Sequence, residues 1–434
     1  MKRLLTAAVA ALLLASCSTT GTESPKDNAP VQLLVFGSPD ELAAYRTLVS
    51  AYKGGQVQLV EAADRKDLIT KLSTSIAGGA PQDLFLMNYR FYGQFAAKNA
   101  IEPIDDQLKK STVIKAADFY PEAMKPFQWA GKQLCMPQNV SSLQVYYNKG
   151  LFTKFGVAAP KPGWTWTDML TTAQDMTRDA AGHVVKATEP EAGATPPAVH
   201  GLGTESVMIR LAPFVWSNGG QLVDNDAKPT RFTFDTPAAR EALKNFIDLR
   251  LGYGVIPTDD EVKAQDLVAR FTSGKLAMLL ESRRITPTLR AAKELSWDVA
   301  ALPTYKQPGG ILHSDAYCIT KASKNKESAW KFMEFAMSPE GQRIIAATGR
   351  TVPSHIATAK SNAFLDGNAP AHAQIFLDAV PSLKAVPTIS TWPEIEDITE
   401  GILENALYRG DKLDDVIAEI DKQTKPIFAR GEAS

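Results

Sequence analysis

The sequence has few cysteines, few histidines and no excess of either charge. Its 434 residues include three cysteines, at positions 17, 135 and 318, which is too few for a disulfide-rich scaffold. The 5 histidines show no metal-ligand spacing, and no CxxC pair indicates structural zinc. Basic residues number 47 and acidic residues 48, giving a net charge of −1. We therefore expect no nucleic-acid partner, because such proteins normally carry a basic excess.

The common motifs of enzyme catalysis are also missing. The chain has no HExxH, GxSxG or GxxxxGK[ST], and Gly201-Leu-Gly203 lacks the third glycine of a dinucleotide-binding loop. Asp224-Asn-Asp226 begins like a calcium loop but lacks the later glycine and glutamate. We therefore expect neither an enzyme nor a bound metal or cofactor. A secreted glycoside hydrolase stays open as an alternative, because two carboxylates paired only in space leave no sequence motif.

Only the N-terminus carries a long apolar run. Met1 to Arg3 is basic, and the eleven residues from Leu4 to Leu14 are apolar, which is too short for a bilayer that needs about 20. This pattern predicts a signal peptide over residues 1–16. The following Cys17 resembles the acylated cysteine of a bacterial lipobox, so we expect a palmitate-bearing lipoprotein anchored outside the cytoplasm. The alternative is an ordinary signal peptide followed by an incidental cysteine. Residues 17–30, rich in Ser, Thr, Gly and Pro, predict a flexible tether.

The hydrophobic pattern of residues 31–87 predicts strands that alternate with helices. Strands are predicted at 31–36, 56–62 and 83–87. Ser38 predicts a helix N-cap, with Pro39 in the first turn and Glu41 completing a capping box, and Asp64 caps a second helix. Further helices are predicted at 165–178, 236–251, 326–337, 339–347, 371–380, 393–408 and 412–424, with strands at 277–280 and 317–320. The alternation predicts two α/β lobes.

Six segments in order resemble the bacterial extracellular solute-binding protein family 1, the carbohydrate-binding receptors of ABC importers. They are DLFLMNYRFYGQFA at 83–96 with AIEPI at 100–104; MP at 136–137 with VYYNKGLF at 145–152; WTWTD at 164–168; WSNGG at 216–220; FTSGKLAM at 271–278; and ITKASKNKESAWKF at 319–332 with SPEGQ at 338–342 and VP at 352–353. Each segment alone is weakly specific, whereas six in register across most of the chain are a strong match.

The resemblance implies a two-lobed periplasmic-binding-protein-like fold of type II, similar to that of maltose-binding protein. Each lobe would be a mostly parallel sheet flanked by helices, with the ligand in the cleft between them. Lobe one is expected at 31–142 plus 312–355, and lobe two at 143–311 plus 356–434. The chain would cross between the lobes near 141–146, 310–317 and 352–359. Hinge closure around the ligand would then present the closed form to the transporter.

Ligands of open α/β sheets bind beyond the carboxyl ends of the strands, so the turns after strands are the places to search for ligand-binding residues. The residue types there, together with the resemblance, indicate hydrogen-bonding groups, arginines and two tryptophans that could stack on a sugar ring. The predicted ligand-binding residues are Ser38, Asp40, Asn88, Tyr89, Arg90, Asn139, Ser141, Trp216, Asn218, Arg283, Arg284, His313, Asp315 and Trp392, with Arg350 a weaker candidate.

The predicted function is capture of a carbohydrate and its delivery to an ABC permease by a monomeric, membrane-anchored binding protein. Arg90, Arg283 and Arg284 keep a second ligand class open, because arginine binds carboxylate and phosphate through paired hydrogen bonds. That alternative is a binding protein for an anionic sugar derivative or a glycerophosphodiester.

The resemblance also bears on Cys135 and Cys318. In the family, the hinge strands that carry these positions run side by side, and the compartment is oxidising. The two cysteines could therefore form a disulfide within lobe one. The alternative is a pair of buried free thiols that pack as small apolar groups.

Overall fold

The computed structural model describes residues 29–185 and 197–433. The predicted signal peptide, the lipidation site Cys17 and nearly all of the predicted tether lie outside these residues. Within the described ranges, no helix combines the length and the apolarity needed to cross a membrane.

Thirteen strands lie in the described part of the chain. They are β1 (Val31–Phe36), β2 (Val57–Ala62), β3 (Leu84–Asn88), β4 (Gln128–Trp129), β5 (Lys132–Gln133), β6 (Cys135–Pro137), β7 (Ser141–Asn148), β8 (His200–Gly203), β9 (Leu276–Ser282), β10 (Trp297–Ala300), β11 (Gly310–His313), β12 (Asp315–Ile319) and β13 (Leu383–Lys384).

The same residues form 18 α-helices, joined by short 3-10 turns. The helices are α1 (Pro39–Ala51), α2 (Arg65–Ala77), α3 (Tyr89–Ala96), α4 (Asp105–Lys110), α5 (Pro121–Met124), α6 (Lys149–Phe155), α7 (Trp166–Met176), α8 (Met208–Ser217), α9 (Pro237–Leu251), α10 (Asp259–Ala264), α11 (Leu267–Thr272), α12 (Thr286–Ala291), α13 (Lys326–Met337), α14 (Pro339–Ala346), α15 (Ile356–Ala359), α16 (Ile375–Asp378), α17 (Trp392–Arg409) and α18 (Leu413–Ala429).

The strands build two main sheets. The first has the order β2-β1-β3-β12-β6, and the second has the order β13-β11-β7-β9-β8, with β10 also paired to β7. One strand in each sheet runs against the others: β12 is antiparallel to both of its neighbours, and β7 is antiparallel to β9, β10 and β11. Both reversed strands follow directly after the chain has crossed from the other sheet. The sheets are otherwise parallel and covered by helices, as the sequence pattern predicts.

The chain passes between the sheets through three neighbouring segments. Residues 138–140 join β6 to β7, and residue 314 joins β11 to β12. Residues 352–354 run antiparallel beside the first segment, where Asn139 pairs with Pro353 and the Val140 amide donates to the Val352 carbonyl at 2.9 Å. These three segments form the crossing region. The residue bounds of the two lobes stay a prediction.

Alternating side chains of β1 enter two different hydrophobic cores. Leu33 and Val35 pack with the core that lies under α1 and α13, whereas Leu34 points to the opposite face and joins the larger core. This two-residue period is the property of a strand buried on both faces.

Two local predictions are wrong. The Ser38 hydroxyl accepts a hydrogen bond from the Glu41 amide, as an N-cap should, but the Glu41 carboxylate turns to Arg350 and does not complete the capping box. The helix predicted at 371–380 is reduced to the four residues of α16, followed by a 3-10 turn at Val380–Ser382. There His372 is held outside a helix because its amide and its ring both bind Asp298.

Candidate ligand-binding cleft

A cleft of about 640 Å³ lies between the two sheets. Residues at or just beyond the carboxyl ends of five strands line it: Phe36 at the end of β1, Asn88 of β3, Ser282 of β9 and His313 of β11, and Thr204 directly after β8. This is the position at which open α/β sheets bind ligands. Below we call this space the cleft.

Seven of the fourteen predicted ligand-binding residues line the cleft. All seven lie at strand ends or in the crossing region, where the sequence argument places them: Asn88, Arg90, Asn139, Ser141, Arg284, His313 and Asp315. The weaker candidate Arg350 lines it too.

Helix termini and packing direct four of the other candidates away from the cleft. Ser38 and Asp40 are exposed at the start of α1, where Ser38 serves as the cap. The buried Tyr89 hydroxyl accepts a hydrogen bond from the Val386 amide at 3.3 Å. Asn218 ends α8, and its amide donates to the Ala238 carbonyl at 2.9 Å and to a Glu241 carboxylate oxygen at 2.8 Å.

Three large candidates are core residues. Trp216 is 3% exposed on α8, a helix with all ten residues buried. Trp392 is fully buried against Phe232 and Phe428. The guanidinium of Arg283 is fully buried against aromatic rings, 4.3 Å from the centre of Phe364, and burial lowers its pKa to about 10. None of the three lines the cleft.

The crossing region forms the floor of the cleft and is held by Asn139. Its side-chain amide donates to the His313 carbonyl at 2.9 Å and to the Ser141 hydroxyl at 3.1 Å, and its oxygen accepts from the Asp315 amide at 2.9 Å. Ser141 in turn accepts from the Val352 amide at 3.2 Å. Asn139 and Ser141 therefore join all three crossing segments as well as facing the cleft.

On the side of the first sheet, Arg90 is neutralised by a carboxylate. Its Nη1 lies 2.6 Å from Glu396 Oε2 of α17, and both side chains are about nine-tenths buried. Burial alone would lower the pKa of Arg90, but Glu396 holds it above its usual value. Asn88 accepts from the Arg90 backbone and Nε and donates to Asp315 at 3.2 Å.

On the side of the second sheet, two arginines share two glutamates. Arg210 Nη2 lies 2.6 Å from Glu205 and 3.0 Å from the buried Glu281, and Arg284 also binds both carboxylates. Burial would raise the pKa of Glu281, but Arg210 and Arg284 hold it at about 2. Arg210 is 2% exposed, yet its Nε and Nη1 have no hydrogen-bond partner among the described residues.

Two more arginines complete the cationic lining. Arg350 Nε lies 2.8 Å from Glu41, and Arg350 Nη1 donates to the Arg284 carbonyl at 3.0 Å, which links elements on both sides of the cleft. Arg65 packs over the rings of Phe36 and Phe91, 5.6 Å and 4.8 Å from their centres. Burial and the nearby Arg90 lower the pKa of Arg65.

Most of the lining residues that were not predicted from the sequence lie inside helices, and the others lie in loops or at strand ends. Arg210 was detectable, since it is the one charged residue in the apolar run MIRLAPFVWS. The acidic residues of α17 are spaced three or four apart, a pattern that also suits a solvated helix face. The missed polar and charged lining residues are Glu41, Arg65, Thr204, Glu205, Ser206, Arg210, Asp259, Ser282, Thr351, Glu396, Asp397, Glu400, Glu404 and Tyr408.

The lining has an acidic balance and no metal centre. Its five arginines face eight carboxylates, an excess of three negative charges. Across residues 29–185 and 197–433, no group of three or more His, Cys, Asp or Glu side chains is placed to hold a metal ion.

Solved structures share this architecture. A Listeria monocytogenes ABC substrate-binding protein in complex with cycloalternan superposes with a TM-score of 0.79 at 24% identity, covering 91% of this chain and 98% of that one. UgpB from Mycobacterium tuberculosis in complex with glycerophosphocholine gives 0.76 at 19% identity, covering 93% and 99%. The two-lobed fold expected from the sequence is confirmed.

A maltooligosaccharide ABC transporter solute-binding lipoprotein of Streptococcus pneumoniae serotype 4 (strain ATCC BAA-334 / TIGR4) is 22% identical over 413 residues, 93% of this chain and 90% of the relative. The family model for bacterial extracellular solute-binding proteins matches residues 43–369, well over half of the sequence. With its cleft between two α/β lobes, this chain belongs to the bacterial extracellular solute-binding proteins.

Proposed function

We propose that this protein captures a carbohydrate in the cleft and delivers it to an ABC importer. The observation that carries the proposal is the lining: strand ends from both sheets present hydroxyl, amide, guanidinium and carboxylate groups to one space. Such mixed donors and acceptors suit the many hydroxyls of a sugar. The Streptococcus pneumoniae relative is named for maltooligosaccharide, which supports the same ligand class.

An anionic ligand has weaker support. The two cleft arginines on which that alternative depends, Arg90 and Arg284, are both held by carboxylates, and Arg283 is buried away from the cleft. The lining also carries a net negative charge, which would repel an anionic ligand. UgpB, the structural neighbour bound to glycerophosphocholine, is similar at 19% identity and supports only the fold.

Lobe closure would couple binding to delivery. We infer that lobe one spans 31–142 plus 312–355, that lobe two spans 143–311 plus 356–434, and that they rotate about the crossing region. A ligand that contacts both lobes stabilises the closed form, which a permease then recognises. The chain would act as a monomeric binding protein without catalysing a reaction.

Membrane attachment through Cys17 is the remaining part of the proposal. The sequence pattern around Cys17 and the lipoprotein name of the Streptococcus pneumoniae relative support an extracytoplasmic lipoprotein. A Cys17→Ala variant should lose its acyl chains in mass spectrometry of the intact protein. A wild-type N-terminal peptide whose mass includes no lipid would contradict the anchor.

A thermal-shift screen of sugars tests ligand capture. A ligand present at 100 times its Kd adds about 2.7 kcal/mol to stability, which is a readily measured shift. Arg65→Ala should weaken the binding of a sugar found in this screen about tenfold, because the cleft loses a cation. No carboxylate loses an ion-pair partner in this variant, since Arg65 packs on aromatic rings. The matched control is Arg46→Ala, an exposed arginine paired with Glu61 outside the cleft. The proposal fails if no carbohydrate shifts the transition.

A further inference from the structure

One arginine of the cleft differs from the other four. Those four each bind a carboxylate of the chain, and they are Arg90, Arg210, Arg284 and Arg350. Within residues 29–185 and 197–433, Arg65 makes no hydrogen bond and no ion pair, and its guanidinium lies over the rings of Phe36 and Phe91. The hydrogen-bonding capacity of Arg65 is therefore unused.

The free donors of Arg65 are open to the cleft. Its Nε is sealed from solvent, whereas Nη1 and Nη2, which carry most of its N–H groups, are not enclosed by the described residues. Because Arg65 lines the cleft, a ligand bound there can reach these two nitrogens. A guanidinium is planar and rigid, and its packing on aromatic rings holds it in place, so its donors are ready to bind at little cost in side-chain entropy.

Asp315 provides a complementary acceptor at the floor of the cleft. Among the described residues, its carboxylate has one side-chain partner, the Asn88 amide, which donates to Oδ1 at 3.2 Å. Its Oδ2 has no partner in the same part of the chain and is not sealed from solvent. Asp315 lines the cleft as well, so this oxygen is also within reach of a ligand.

Arg65 and Asp315 interact across the cleft without touching. Burial, followed by Arg90, lowers the pKa of Arg65, and Asp315 is near enough to raise it in part. The two side chains nevertheless form neither an ion pair nor a hydrogen bond with each other. A hydroxyl placed between them would satisfy both, because one oxygen accepts from the guanidinium while its proton is donated to the carboxylate. Hydrogen bonds to charged groups are roughly twice as strong as neutral ones.

We propose that Arg65 and Asp315 bind the sugar together, with Arg65 Nη1 and Nη2 donating to two vicinal hydroxyl oxygens and Asp315 accepting from one of the same hydroxyls. This inference rests on the proposed function and narrows its ligand class to sugars with a free vicinal diol. The paired donors of Arg65, and not its charge alone, set the affinity. A lysine ammonium would keep the charge but could not place two parallel donors on neighbouring oxygens.

Deoxy sugars test the requirement for the diol. The sugar with the largest thermal shift among D-glucose, D-galactose, D-mannose and maltotriose is titrated by calorimetry, followed by its monodeoxy analogues. Removal of either hydroxyl of the diol should weaken binding about tenfold or more, and the affinity should not change with added salt because the ligand is neutral. If every deoxy analogue binds as tightly as the parent sugar, this inference is overturned and carbohydrate capture stands. If none of the sugars binds, both are overturned.

Variants of the two side chains locate the contact. Arg65→Lys, which keeps the charge, and Asp315→Asn should each weaken binding of the parent sugar about tenfold. Because both side chains bind the same hydroxyl, the double variant should bind little more weakly than either single variant, whereas independent contacts would multiply. The matched controls are Arg46→Lys and Asp414→Asn, which alter exposed ion pairs outside the cleft and should bind as the wild type does.

Urea denaturation without sugar shows that each variant is folded before its binding is measured. In Arg65→Lys, the deoxy analogue that lacks the shared hydroxyl should bind as well as the parent sugar, a result that a merely structural role of Arg65 would not produce. Wild-type affinity of folded Arg65→Lys, or losses that multiply in the double variant, would overturn the shared hydroxyl contact.

Discussion

At the scale of single residues, the cleft depends on buried ion pairs whose members belong to different elements. Arg90 follows β3, whereas Glu396 belongs to a helix some 300 residues later in the chain. Removing one member leaves the other charge buried without a partner, which costs far more than the pair contributes. The burial of a charged side chain therefore decides how much stability is lost when its partner is removed.

Arg90→Ala should therefore destabilise the protein by about 3–5 kcal/mol, because Glu396 would stay 12% exposed without its counter-charge. The matched control is Arg430→Ala, which removes an exposed pair with Glu394 on the same helix and should cost about 0–1 kcal/mol. Urea denaturation measures both. Equal losses in the two variants would contradict the argument from burial.

His313 gives the protein a pH dependence. Its buried Nε2 has no hydrogen-bond partner within residues 29–185 and 197–433. Burial, followed by the nearby Arg210 and Arg90, lowers the pKa of His313 well below 6.5. The facing carboxylate of Glu281 opposes this only in part. The unfolded chain takes up a proton near pH 6.5 and the folded chain does not, so stability is present above pH 6.5 and lost as the pH falls below it.

The slope of stability against pH below 6.5 should be shallower for His313→Gln than for the wild type. The control His183→Gln changes a side chain that is 80% exposed and should reproduce the wild-type slope. Chemical denaturation at a series of pH values provides the comparison. Parallel curves for wild type and His313→Gln would show that His313 contributes nothing.

At the scale of elements, the sequence predicted most strands and helices because their signals are local. The helices opened by Ser38, Asp64 and Thr165 all begin at the capping residue, and α13 has the predicted bounds 326–337. The helix predicted at 371–380 failed because a distant residue, Asp298, binds His372 and fixes the backbone there. No local pattern encodes that contact.

One pair of elements is joined covalently. Cys135 of β6 and Cys318 of β12 lie opposite each other in register, with Cα atoms 4.4 Å apart, and form a disulfide. Of the two alternatives that the sequence left open, a disulfide or two free thiols, the structure has the disulfide. Both strands belong to the first sheet, so the bond fixes one sheet beside the crossing region and leaves the relative motion of the sheets free.

The disulfide joins two cysteines that are 183 residues apart in the sequence. Its loss should lower the free energy of unfolding by about 2–5 kcal/mol. The Cys135→Ser/Cys318→Ser variant should unfold at a lower urea concentration than the oxidised wild type, and reductant should shift only the wild type. Mass spectrometry after alkylation of the non-reduced protein checks the bond directly, since two alkylated cysteines would exclude it.

At the scale of the whole molecule, strand ends were predictable as cleft positions and helix faces were not. Asn88 and His313 lie at the cleft because the carboxyl ends of strands meet there. Asp315 lies at the same edge because it begins β12, which runs antiparallel to β3 and pairs with Asn88. Glu400 reaches it because α17 packs against helices from both sides, α3 and α8. The tryptophans were misplaced because a large aromatic fits a core or a sugar platform equally well by sequence.

In the function proposed above, ligand binding at the cleft and rotation of the lobes depend on the same residues of the crossing region. Asn139 is 3% exposed and makes three side-chain hydrogen bonds there, to the His313 carbonyl, the Ser141 hydroxyl and the Asp315 amide. Its removal would take this partner from two backbone groups, the His313 carbonyl and the Asp315 amide, at a cost of about 1–3 kcal/mol for each group left unpaired.

Asn139→Ala should therefore destabilise the protein by at least about 2 kcal/mol and also weaken ligand binding, because the floor of the cleft and the hinge lose the same contacts. Asn225→Ala is the matched control: Asn225 accepts hydrogen bonds from the Ala227 and Lys228 amides in an exposed loop, where water can replace them. Urea denaturation gives the stability of each variant, and small-angle scattering with and without a bound sugar gives the change in radius of gyration on closure. If Asn139→Ala closes and binds as the wild type does, the crossing region is not the hinge.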